Sequence, residues 1–200
     1  MLSLQEILDN STEIRRLCDR IKITGPVMHL SSEHRKAHDV ACKEYHQRFD
    51  SLAFPGGGAM LNRVRQNDPI AIESAIRFLV ADPYHFRSGY IKEYLWRWLK
   101  HCELSMSARN RLEMAALLYM DRRVSREFWD MCKSMALLGR DSFWVSVAQK
   151  ARLTDLPAKR AGLLLVHGAN LRAGAHLRWA IWHENIMRKG ANYAIKVTAE

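Results

Sequence analysis

Apolar residues recur along this chain at intervals of three and four, the period that turns one stripe of an α-helix towards a core. Over 88–103, Ile91, Leu95, Trp98, Leu99 and Cys102 fall on one face, with Ser88 placed to cap. Ser105 or Ser107 opens a further helix whose inner face is Leu112, Ala115, Ala116 and Tyr119. Residues 125–138 repeat the stripe with Phe128, Cys132, Met135 and Leu138, and Gly139 follows at the C′ position that favours positive φ. Asp141 caps the next helix, which turns Phe143, Trp144, Val147, Ala148 and Ala151 inward. Asp155, Leu156 and Pro157 put a proline in the first turn of another, where its missing N–H costs little. A last helix is expected from about Leu171 to Lys189, ending at Gly190.

The amino-terminal part is less regular and reads as helices near 3–22, 32–50, 59–66 and 70–81. Gly25-Pro26, Phe54-Pro55-Gly56-Gly57-Gly58 and Asp68-Pro69 separate them. Residues 54–58 join a fixed φ to three permissive glycines, which makes them the candidate hinge. Period-two alternation bounded by Asn-Gly or Asp-Gly is missing, so strands are not expected.

From about residue 70 the helices are joined by a few residues each, which forces antiparallel neighbours. The expected fold class is therefore all-α, a series of successive antiparallel helical hairpins within one domain spanning 1–200. The most regular region is 70–190. This succession resembles an α-solenoid of the HEAT or armadillo type over about two thirds of the chain. A compact helical bundle satisfies the same pattern.

A chain of 200 residues buries enough surface, roughly 70%, to need no metal or disulfide staple. No run approaches the roughly 18 consecutive apolar residues of a membrane span. The start carries Glu6 and Asp9 and lacks a basic-then-apolar-then-small order. The expectation is a cytoplasmic, soluble protein without a signal peptide. Cys18, Cys42, Cys102 and Cys132 lie far apart with no CxxC pair, and are expected to act as small buried hydrophobes.

Charge is the global feature that leans towards a function. Lys and Arg number 31 against 21 acids, with an excess of three over residues 1–100 and of seven over 101–200. Arg supplies 21 of these cations, and its planar fork suits phosphate. Arg109 and Arg111 sit on one helix, Arg122, Arg123 and Arg126 cover a turn, and Lys150, Arg152, Lys159 and Arg160 flank another. Arg172, Arg178, Arg188 and Lys189 follow. In stacked hairpins alternate turns share an edge, so these charges can line up as a ridge matching a phosphate backbone. The six tryptophans, Trp96, Trp98, Trp129, Trp144, Trp179 and Trp182, all fall after residue 95. Trp96 and Trp98 are about 200° apart on a helix, so one faces out; Trp96, beside Arg97, is the candidate for stacking on bases.

Three other patterns hold chemistry-bearing residues. His34, His38, Cys42 and His46 step by four along one helix, so adjacent pairs can bite a divalent metal. Each step drifts about 40°, so the four offer pairs but no complete site, and no bound metal or other cofactor is expected. His176 shares a face with His183-Glu184, a possible acid–base group without a nucleophile beside it. Gly56-Gly57-Gly58 opens a helix and exposes amides to an anion, but lacks the Gly-Lys-Ser/Thr of a phosphate loop.

The leading expectation is a non-enzymatic helical protein that contacts DNA or RNA phosphates through its Arg-rich carboxyl-terminal half, as part of a larger complex. The alternative is a protein-interaction scaffold that needs no nucleic acid. The third class is a metal-dependent enzyme or sensor built on His34, His38, Cys42 and His46.

Overall fold

The computed structural model describes residues 1–122, 126–153 and 156–170. Among these every regular element is helical. They are α1 (Leu4–Thr24), α2 (Ser32–Ala53), α3 (Gly57–Val64), α4 (Pro69–Ala81), α5 (Ser88–Leu99), α6 (Met106–Tyr119), α7 (Phe128–Leu138), α8 (Asp141–Lys150) and α9 (Leu156–Asn170). A single 3-10 turn, Gly25–Val27, follows α1. No helix among the described residues is long and apolar enough to cross a membrane. The chain divides into two compact units, Met1–Leu95 and Trp96–Glu200, and the division falls inside α5.

In the first unit α1 starts at a capping box: the Ser3 hydroxyl accepts from the Glu6 amide while the Glu6 carboxylate accepts from the Ser3 amide. Its buried face is Ile7, Ser11, Ile14 and Leu17, one helical stripe. Arg48 pairs with Glu13 at 2.5 Å, Arg20 with Glu44, and Thr24 with His38. These pairings advance along α1 as they retreat along α2, so the two helices are antiparallel. The guanidinium of Arg16, and then that of Arg48, pull the Glu13 carboxyl from its usual 4.5 to about 2. Glu44 is lowered in the same way, chiefly by Arg20. A depressed carboxyl pKa adds stability that is complete above pH 4.5 and lost as pH falls towards 2. Acid titration followed by circular dichroism should therefore find helix loss in that window. It should come at higher pH in Glu13→Gln, and an unaltered profile would remove the ion pairs from the account of stability.

Residues 54–58 form a hydrogen-bonded turn within the first unit. Gly56 (φ 82°) and Gly57 (φ 68°) are left-handed, and Gly57 donates to the Phe54 carbonyl at 2.8 Å. A Cβ on Gly57 would lie 2.5 Å from Asp50 Oδ2, so the glycine also makes room for that carboxylate. Downstream, Asp68 caps α4 by accepting from the amides of Ile70 and Ala71, with Pro69 in the first turn. Phe78 and Phe54 meet in the core at 5.4 Å between ring centroids.

In the second unit Ser105 caps α6, accepting from Ala108, and Leu112, Ala115, Ala116 and Tyr119 are buried as the stripe predicts. Phe128, Cys132, Met135 and Leu138 of α7, and Phe143, Trp144, Val147 and Ala148 of α8, likewise face the core. Asp141 is the first residue of α8 and not its cap. The turn before α8 is held by Arg140, which grips the buried Glu113 carboxylate through its backbone amide (2.9 Å), Nε (3.0 Å) and Nη2 (2.5 Å). α9 packs on both α7 and α8, and its closest pairing skips a helix.

Gly139 departs from the sequence expectation: its φ is −66°, not positive. Crowding explains it instead, since a Cβ there would lie 2.7 Å from both the Met135 carbonyl oxygen and Phe143 Cδ1. Gly139→Ala, harmless at this φ, should cost about 1–3 kcal/mol through overpacking, read by chemical denaturation. Asn, which a left-handed C′ accepts, should do at least as much damage; an Asn variant of native stability would contradict the crowding.

Candidate functional site

The basic residues of the second unit sort by the local packing. The end of α6 is tied to two later elements: Lys150 Nζ binds Asp121 Oδ1 and Oδ2 at 2.6 and 2.7 Å, and Arg160 Nη1 donates to the Met120 carbonyl at 2.9 Å. These ties bring the turn after α6 to the turn after α8 and the start of α9. Arg122, Arg126, Arg152 and Lys159 are all exposed around them. Asp121, an acid within this edge, holds Lys150.

Four of the expected contacts are not on this exposed edge. Arg160 is buried, 6% exposed, and its guanidinium serves the α6 carboxyl end. Arg109 and Arg111 are half-buried near the start of α6, roughly 14–16 Å along the helix from Met120. Trp96 is 1% exposed. The sequence stripe put Ile91, Leu95 and Leu99 inward, and they are, but Lys92 and Trp96 form a second buried stripe beside them. With so wide an arc covered, Trp96 has no face to offer a base. Among the described residues the exposed tryptophan is Trp129, 42% accessible, in the first turn of α7 three residues after Arg126. Arg123, and the later candidates Arg172, Arg178, Arg188, Lys189, His176, His183, Glu184, Trp179 and Trp182, lie outside the described residues.

The histidine stripe of α2 is spent on local partners. His34 Nδ1 meets the Ser31 hydroxyl at 2.9 Å, His46 Nδ1 donates to the Cys42 carbonyl at 2.8 Å, and His38 lies between Thr24 and Cys42. Among the described residues no three His, Cys, Asp or Glu side chains gather to hold a metal ion. The triglycine does not offer its amides to an outside anion, because Asp50 Oδ1 accepts from the Gly58 amide at 3.1 Å.

Two features of the first unit escaped the sequence reading. A groove of about 550 Å³ is lined by Phe49, Phe54, Leu61, Phe86, Tyr90 and Tyr94, with Asp50 and Arg87 as its charged members. Phe86, Tyr90 and Tyr94 are strongly exposed and stand four apart, a spacing visible in the sequence but masked by attention to the inward stripe. Arg87, left-handed at φ 68°, lays its guanidinium over the Phe86 ring at 5.4 Å. Nearby, Lys92 is buried and paired with Asp82, which turns the chain out of α4 at φ 48°. Burial, helped by Lys92, pushes the His85 imidazole below its ordinary range, while its Nδ1 donates to the Phe86 carbonyl at 2.8 Å.

No protein-family model matches the chain, and no curated protein or solved structure matches it significantly.

Proposed function

We propose that the second unit binds nucleic-acid phosphates along the edge of Arg122, Arg126, Lys150, Arg152 and Lys159, in a non-enzymatic protein that works within a larger complex. The observation that carries this reading is the pair of ties from Met120 and Asp121 to Arg160 and Lys150, which gather cations from separate turns onto one edge. The reading takes the helices as hairpin repeats of the HEAT or armadillo kind, whose turns repeat along an edge. A net charge of +10 favours approach to a polyanion. Exposed Trp129 beside Arg126 offers a flat face to a base or sugar. Fluorescence anisotropy with single- and double-stranded DNA and RNA at two salt concentrations tests it. Binding should weaken as salt rises, because each neutralised phosphate releases counterions.

A second reading is a protein-interaction scaffold, favoured by the aromatic groove of Phe86, Tyr90 and Tyr94. Exposed rings of this kind are typical anchors for protein partners. Absence of any nucleic-acid binding at low salt would make this the leading reading.

A further inference from the structure

Of the four cysteines, three are half-exposed: Cys18, Cys42 and Cys102. Cys132 is fully buried, and burial pushes the thiols of Cys132, Cys102 and Cys18 up. Cys42, on α2, has an imidazole beside it, with Sγ 3.4 Å from His38 Nε2. The other ring nitrogen, Nδ1, is 3.0 Å from the Thr24 hydroxyl. That hydroxyl donates its proton to the Arg20 carbonyl at 2.8 Å, with Ile21 O at 3.3 Å as a second acceptor. With its proton so placed, its oxygen is set to accept from His38 Nδ1–H, the tautomer whose Nε2 lone pair faces the Cys42 thiol. Nucleophile, base and orienting group are thus in line, the arrangement that activates cysteine nucleophiles. Thr24 and Ala41, which neighbour His38 and Cys42, line an adjacent shallow cleft of about 420 Å³ with Ile23, Ala37, Val40 and the cations Arg20 and Lys36, which suit a small molecule carrying carboxylates.

We propose that Cys42 is a reactive thiol, activated by His38 and poised by Thr24, that undergoes exchange with a small carboxylate-bearing disulfide. The thiol proton passes to His38 Nε2 as Cys42 Sγ bonds to one sulfur of the reagent. The reagent S–S bond breaks, and the other sulfur leaves as a thiolate that takes the proton back from the imidazolium. Cys42 ends oxidised in a mixed disulfide, and the departing half is reduced to a thiol. This site lies in the first unit and does not depend on nucleic-acid binding.

The test treats the full folded chain with oxidised glutathione and follows each cysteine by peptide mass mapping. Cys42 should be modified first, at least about tenfold faster than Cys18 or Cys102, with His38→Ala slowing it about as much. Added imidazole should restore part of the rate in His38→Ala, which a merely structural histidine would not allow. Thr24→Val should slow the reaction, and Thr24→Ser, which keeps the hydroxyl, should not. Circular dichroism checks that the variants fold, and the order of reactivity in the unmodified chain stands whether they do or not. Cys42 reacting no faster than Cys18 and Cys102 overturns the proposal. So does a folded His38→Ala chain that reacts at the native rate.

Discussion

Replacing Trp96 by alanine should unfold the protein far sooner than it weakens any ligand. The indole is 1% exposed, and its loss removes the largest class of buried side chain, leaving a cavity that its helix cannot close. Substitutions of this kind cost about 3–5 kcal/mol. In a chain of this length that is a fall in melting temperature of roughly 6–20 °C. The Ser134 hydroxyl donates to the Trp96 carbonyl, so the neighbouring backbone loses its support as α5 shifts. Had Trp96 stood outward as the stripe suggested, the same variant would melt normally and bind nucleic acid less well. A melting temperature within about 2 °C of native, the shift expected of a surface change, would show that the side chain is not in the core.

The opposite signature is expected at the basic edge. Arg122, Arg126 and Arg152 are exposed, so replacing all three by glutamine should leave the melting temperature nearly unchanged. Each lost phosphate contact on duplex lowers the log–log salt slope by about 0.9, equivalent to roughly eightfold in affinity near 0.1 M salt. Three such contacts give a loss of up to several hundredfold, similar for unrelated sequences because phosphates carry no sequence information. On single strands the slope change per contact is about 0.7. Joint loss of stability and binding would mean that these arginines hold the turns together. Retained affinity would place the phosphate contacts elsewhere on the chain.

The contrast between Trp96 and these arginines marks how far the residues could be read. Helix positions were legible because capping and periodicity are local: Ser3, Ser105 and Asp68-Pro69 act on amides within three residues. The inward faces of α6, α7 and α8 were legible for the same reason, since each helix shows one apolar stripe. The reading failed where an element is covered on more than one side. α5 buries a lysine and a tryptophan as well as its aliphatic stripe, and no period within twelve residues announces that.

Glycine divides the two kinds of information again. At Gly56 the left-handed backbone follows from the residue itself, whereas at Gly139 the requirement comes from Met135 and Phe143 closing on the site. The sequence by itself determined an all-helical chain, most of its helix boundaries and the excess of arginine, because propensity, capping and charge are properties of neighbouring residues. Only the tertiary structure decided which residues tie the end of α6 to α8 and α9, which of the described tryptophans is exposed and which histidine faces a thiol. Those outcomes turn on contacts between residues dozens of positions apart, such as Lys150 with Asp121, or on the direction of a single ring, as at His38 between Thr24 and Cys42.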